Sequence, residues 1–353
     1  MTPLFDRSRP PARIAVFRAL QLGDLLCAVP ALRALRLAFP RAHIALIGLA
    51  GASEFRNRFD AYVDELIEFP GAAGFPEQAA RPQELPAFFR RMRLRRFDAA
   101  LQMHGSGGLS NLLVEQLGAR GWGGFVPNVG AEIPGLRLAW PESLPEPRRY
   151  LALLHHLGVK TGDDRLEFPC TQADRRDAER LLREHSLDPA RLVLMHAGAR
   201  LPSRRWPLER YAEVAHALSR QGWQVALTGT GVERSMTAEL RRLSRLPLAD
   251  LCGATTLGSL AALVRECRLL VCNDTGISHV AAAVGASSVV VACGSDAARW
   301  APLDRRRHIV LAADAPCRPC AFETCPIGHP CALAVTVPQV LAQAQGQLGR
   351  AAP

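Results

Sequence analysis

The stretch NDTGISH, residues 273–279, sets an acid, a hydroxyl, a glycine and an imidazole in close succession. An apolar run precedes it and the helical pattern SHVAAAVG overlaps its end. That order directs the first backbone N–H groups of a helix, those of Thr275, Gly276 and Ile277, outward at the positive end of the helix dipole. This is chemistry for a phosphate: Gly276 admits a bulky anion to the backbone, Thr275 adds a hydroxyl, and Asp274 and His279 flank them. A plain helix cap by Asp274 or Ser278 fits the same letters.

Other turns carry side chains suited to a similar ligand. HAGARLPSRRWPLERY (196–211) places Arg204 and Arg205 ahead of Trp206 and Pro207, with Pro where a helix begins. Guanidinium forks match diphosphate oxygens, and a solvated loop accounts for the same pair. In TGTGVE (228–233), Glu233 either accepts hydrogen bonds from a ribose or base or is an ordinary first-turn acid. QLGDLL (21–26) puts Asp24 at another helix start, as a cap or, facing a bound nucleotide, as a carboxylate placed to accept a proton. Toward the C-terminus, Cys317, Cys320, Cys325 and Cys331 surround His329 with C-x2-C-x4-C-x5-C spacing. That spacing permits zinc but is tighter than the common paired-knuckle pattern, and reduced or pairing thiols are the alternative.

These turns need strands to hold them. RIAVF (13–17), HIALIG (43–48) and FDAALQM (97–103) read as buried parallel strands separated by helical patterns. Periodicity fades between residues 157 and 191, and a second series follows: LVLMHAG, WQVALTGTG, RLLVCNDTG and SSVVVACG. Each run ends in a small-residue turn before a helix, where open parallel sheets bind ligands. The expected fold is α/β, with two Rossmann-like parallel-sheet domains whose turns face a central cleft. Residues 1–165 form the first domain and 166–335 the second; a C-terminal helix, 336–353, is placed to pack back across them.

The chain has 353 residues, 48% hydrophobic and 22% charged, the mix of a folded protein with more than one core. Its formal charge is +10, and all its basic residues but Lys160 are Arg. They are scattered, which suits solvated faces with a weak pull toward anionic surfaces rather than nucleic-acid binding. No stretch reads as a membrane span or signal peptide, so reduced thiols in the cytoplasm are expected for the ten cysteines. Cys27, Cys252, Cys267, Cys272 and Cys293 lie in apolar runs and read as core.

Taken in order, these pieces resemble the ADP-heptose:lipopolysaccharide heptosyltransferases, glycosyltransferase family 9. The resemblance runs from RIAVFRALQLGDLLCAVPALRALR through HAGARLPSRRWP and LTGTGVE to VCNDTGISHVAAAVGASSVVVACGSDAARWAPL, and the cysteine-rich tail is similar too. It implies a GT-B fold, with the acceptor on the N-terminal domain and the nucleotide-sugar on the C-terminal one. It also implies inverting transfer, with an ADP-heptose as the expected donor and an anionic glycolipid or glycan of the lipopolysaccharide core as the expected acceptor. By position, Asp24 matches the family's catalytic base, and Asp274, Thr275, Gly276 and His279 match its donor site. Arg204 stands where the family usually has a phosphate-neutralising Lys, and Glu233 where an acid contacts the nucleoside. Leu20 replaces a common Gly, and Ala197 a common Pro. No obligatory cofactor or metal is expected, since Arg204 and backbone amides replace a divalent ion. Peripheral contact with the cytoplasmic face of the inner membrane is expected from the surface Arg. Another nucleotide-sugar and acceptor, or a non-catalytic nucleotide-sugar-binding protein, are the alternative functions.

Overall fold

The computed structural model describes residues 4–5, 9–127 and 136–350. Its contacts divide the chain into two units, Met1–Arg165 and Leu166–Pro353.

The first unit is built on β1 (Arg13–Phe17), β2 (His43–Gly48), β3 (Glu65–Glu68), β4 (Ala99–Gln102), β5 (Gly121–Val126) and β6 (Arg137–Ala139). They pair in parallel in the order β3-β2-β1-β4-β5-β6. The second unit repeats the plan with β7 (Leu192–His196), β8 (Gln224–Leu227), β9 (Ala249–Asp250), β10 (Leu269–Asn273), β11 (Ser288–Val291) and β12 (His308–Leu311). Its order is β12-β11-β10-β7-β8-β9, again all parallel. In each sheet the chain starts near the middle, winds one way, then crosses back. The strands where the direction reverses are β1 beside β4 and β7 beside β10, the places where doubly wound sheets hold ligands.

Both faces of the second sheet are covered, and the residues alternate between them. Val193, Met195, Leu269, Val271, Val289 and Val291 enter one core; Leu192, Leu194, Leu270, Cys272 and Val290 enter the other. Two buried faces explain why these strands read as unbroken apolar runs. Each fully buried Leu or Val contributes about 1.5–3 kcal/mol relative to exposure. The helix Val337–Leu348 sends Val340, Ala344 and Leu348 into the first of those cores, against β10, β11 and the helix Leu208–Arg220.

The five cysteines read as core are buried, and burial pushes the Cys267 and Cys293 thiols up to about 12. Strand β5, with its run of glycines, was not among the expected strands. Gly124 is needed there by close approach: a Cβ would stand 2.6 Å from the Cβ of Gln102 on β4. Gln102 is fully buried and accepts the Phe125 N–H at 3.0 Å, tying β5 to β4 through a side chain as well as a ladder. Among the described residues, no helix is long and apolar enough to cross a membrane.

Candidate active site

At the reversal point of the second sheet, β10 ends in Asn273, whose side chain is fully buried. Its Nδ2 donates to the carbonyls of Ala197 at 2.7 Å and Gly198 at 3.3 Å, and its Oδ1 accepts the Trp206 N–H at 2.9 Å. One carboxamide therefore fixes both ends of the turn after β7 against the turn after β10. Asn273 opens the stretch that drew attention in the sequence, yet nothing local assigned it a role. The available signal was an amide side chain closing an otherwise apolar strand. Asn273→Ala strands a buried N–H and two carbonyls, so it should destabilise the second unit by about 2–4 kcal/mol. Thermal unfolding checks this; a midpoint unchanged within about 1 °C would show the staple to be idle.

Asp274 follows, 6% exposed, with its backbone N–H held by Val291 O at 3.0 Å. Its Oδ2 is buried and has no hydrogen-bond partner among the described residues. A buried carboxylate oxygen left so is costly unless something else supplies a donor. The helix Gly276–Val284 begins after Thr275, the N-cap, whose backbone is extended and whose side chain makes no capping bond. Ser278 Oγ donates to the Thr275 carbonyl at 2.8 Å. Neither Asp274 nor Ser278 is the cap, so the bland reading of the stretch does not describe this helix start. His279 is buried and meets Trp300 edge to face, with ring centroids 6.1 Å apart.

The two arginines of the turn after β7 part company. Arg205 folds back, its Nε donating to Ala199 O at 2.8 Å. Arg204 ends a short helical turn, Pro202–Arg204, and its buried Nε has no partner among the described residues. The cysteine-rich segment braces that turn from outside. Ser203 Oγ donates to Phe322 O, and the His329 ring Nε2 lies 2.7 Å from Ser203 O. Cys320 N–H donates to Gly294 O at 2.8 Å, and Cys325 Sγ accepts the His329 N–H at 3.1 Å. Cys331 is buried in the helix Pro330–Leu333. Among the described residues, no three His, Cys, Asp or Glu side chains gather closely enough to hold a metal ion. The segment reaches the Arg204 turn through the Ser203 hydroxyl and the His329 ring, and Cys320 ties it by its backbone to Gly294.

Glu233 does two things. One carboxylate oxygen, Oε2, accepts the Thr230 N–H at 2.7 Å and the Thr230 hydroxyl at 2.8 Å, completing a capping box. The other lies over Gly198, where a Cβ would collide with it. Gly198 is therefore the residue that lets the turns after β7 and β8 close on each other. Beside them His196 is buried, its Nδ1 3.2 Å from Thr228 Oγ1. Burial holds the His196 pKa below the ordinary value and favours a neutral ring, against the opposing pull of Glu233.

In the first unit, Asp24 lies in the first turn of the helix Leu22–Ala38 and is half-buried. The N-cap is Gln21, whose side chain makes no capping bond, so Asp24 is a first-turn acid rather than the cap. Its carbonyl accepts from the buried Arg18 guanidinium, at 2.9 Å from Nε. The loop after β4 packs His104 against the rings of Phe17 and Phe75, with centroids at 5.5 and 4.9 Å. Burial and the nearby Arg18 push the His104 pKa down to about 4, leaving the ring neutral near pH 7.

Two doubly wound parallel sheets in sequence make this a two-Rossmann chain of the GT-B fold, the fold it shares with solved heptosyltransferases. The chain matches Glycosyltransferase family 9 (heptosyltransferase) over residues 86–330 and belongs to that family. It is 26% identical to lipopolysaccharide heptosyltransferase 2 of Escherichia coli K12 over 314 residues, 84% of this chain and 87% of that protein. A shorter match, 30% over 139 residues, links it to lipopolysaccharide heptosyltransferase 1 of Pseudomonas aeruginosa, covering 38% of this chain and 37% of that one. Among solved structures, the glycosyl transferase family 9 protein from Veillonella parvula superimposes with a TM-score of 0.79 at 22% identity, covering 96% of this chain and 97% of that one. The E. coli ADP-heptose lps heptosyltransferase II gives 0.71 at 22%, covering 95% and 98%. The fold, the family and the enzyme class expected from the sequence are all borne out.

Proposed function

We propose that the protein transfers a heptose from an ADP-heptose to a sugar hydroxyl of the lipopolysaccharide core, with inversion at the anomeric carbon. The observation that carries this reading is the pair of buried polar atoms without a partner among the described residues, Asp274 Oδ2 and Arg204 Nε, on turns joined by Asn273 at the sheet's reversal point. A nucleotide-sugar supplies what each lacks: hydroxyls for the carboxylate and diphosphate oxygens for the guanidinium. The names of the relatives point to the same donor and acceptor.

In this reading Asp24 takes the proton from the acceptor hydroxyl as its oxygen bonds to the anomeric carbon. The bond from that carbon to the diphosphate breaks, and ADP departs. The amides of Thr275 and Gly276, with Arg204, meet the charge that grows on the leaving phosphate. His279 and Asp274 hold the sugar and diphosphate, and Glu233 offers its free oxygen to the nucleoside. Fixed amides and a guanidinium do the work of a divalent ion, so no cofactor is called for. One displacement with one base gives inversion. The test incubates the enzyme with ADP-heptose and lipopolysaccharide stripped of heptose, then assigns the product anomer by NMR. Retained configuration, or no ADP release from any ADP-linked heptose, would reject the reading. Stabilisation by a different nucleotide-sugar in a thermal-shift panel would favour another donor.

The acceptor is an anionic glycolipid, and surface Arg should draw the enzyme to anionic bilayers at the cytoplasmic face of the inner membrane. Exposed charges are screened over about 8 Å at physiological salt, so co-sedimentation with anionic vesicles should decline steeply as salt rises. Binding that persists in high salt would require an apolar anchor instead.

A further inference from the structure

The geometry points to Arg18 as a positioning residue for Asp24, fixing where its side chain leaves the helix and supporting its negative charge; this rests on the reading of Asp24 as the base. Arg18 follows β1 directly and is fully buried. Its Nε and Nη2 both donate to the Asp24 carbonyl. Its Nη1 donates to Met103 O at 2.6 Å, just past β4, and to the Tyr150 hydroxyl. Tyr150 donates in turn to Glu146, whose Oε1 is 3.6 Å from Arg18 Nη2. A single guanidinium thus joins the turn after β1, the end of β4 and the helix Glu146–His156, at the reversal point of the first sheet.

An apolar side chain would fill such a space without the desolvation cost of a buried cation. What an apolar group lacks is the fork that grips one carbonyl twice and the charge behind it. The groups facing Arg18 are Asp24 and Cys27 from the helix Leu22–Ala38, Glu146 and Tyr150 from the helix Glu146–His156, and His104 from the loop after β4. Burial opposes the Arg18 charge, but Tyr150, Glu146 and Asp24 outweigh it and hold the cation firmly protonated. Glu146 also has Arg149 at 3.8 Å, and His104 is neutral, so Arg18 faces Asp24 as a cation.

The test uses the whole chain with ADP-heptose and heptose-stripped lipopolysaccharide. Arg18→Gln combined with Glu146→Gln removes the buried pair together, and Glu146→Gln alone is the reference. Relative to that reference, kcat should fall about tenfold or more while the donor KM stays within about twofold, the mark of a misplaced reacting group. The acid limb of the kcat profile should move to higher pH, because a carboxylate without its neighbouring cation protonates more readily. Arg18→Lys keeps the charge without the fork, so kcat should fall with the acid limb in place. Equal kcat and equal acid limbs in the double variant and its reference overturn the proposal, as does a parallel loss in kcat and donor KM with the limb unmoved. If the double variant does not fold, Arg18→Lys decides, and wild-type kcat there overturns the proposal. Full activity of Asp24→Asn would instead remove the base assignment, which separates the two failures.

Discussion

Asp24→Asn should lower kcat by about 10²–10⁴, the usual worth of a general base. The substitution keeps the size of the side chain, and the backbone carbonyl that Arg18 grips is untouched, so the helix Leu22–Ala38 should start as before. What it removes is the oxygen able to take a proton from the acceptor hydroxyl. Affinity for ADP-heptose should hold steady, because in this mechanism Asp24 meets the acceptor and not the nucleotide. His279→Ala should do the reverse, weakening the donor by about 1–3 kcal/mol through loss of a hydrogen bond to a charged group. Calorimetric titration of the donor beside steady-state turnover separates the two effects. A folded Asp24→Asn enzyme with full activity would rule out this base. Unchanged donor affinity in His279→Ala would leave the imidazole as a packing partner of Trp300.

Arg204→Gln should cost about 10²–10³ in kcat, the range found when one preorganised donor to a developing negative charge is removed. The buried Arg204 Nε has no partner among the described residues, so its own loop leaves that donor over. Arg204→Lys should recover part of the loss, since it restores charge but not the planar fork. Arg205 is the internal control. Its Nε is spent on Ala199 O, so Arg205→Gln should lower thermal stability and leave turnover largely intact. If Arg204→Gln turned over like the parent while Arg205→Gln did not, the assignment would pass to the neighbouring residue.

Much of the fold is legible in the chain because its central strands are buried on both faces. Runs such as LVLMH, LLVCN and SVVV are apolar without alternation, and their shortness, β-branched content and flanking small-residue turns suit a doubly covered parallel strand. Three of the four outer strands are not legible. ELIE, RLA and AD carry no pattern of their own, and their extended form comes from the parallel neighbours β2, β5 and β8. GWGGFV is hidden by its glycines, one of which exists to admit Gln102.

By itself the sequence determined that two Rossmann-like series follow one another, and that Asp24, Arg204, Glu233 and the turn from Asp274 to His279 sit at strand ends or helix starts. Those are local facts, set by a few adjacent residues: an apolar run, a small residue, then a capped or acidic first turn. The tertiary structure alone decided which of these side chains are spent within the protein and which are left over. Asn273 reaches back to Ala197, Gly198 and Trp206; the Arg205 Nε is used by Ala199 while the Arg204 Nε has no partner among the described residues; Glu233 commits one oxygen to Thr230 and lays the other over Gly198. Arg18 makes its bonds to Met103 and Tyr150 across sequence separations of 85 and 132 residues. A buried hydrogen bond is settled by whichever partner the folded chain brings within about 3 Å, and nothing in the residues beside a donor specifies a partner that far along the chain.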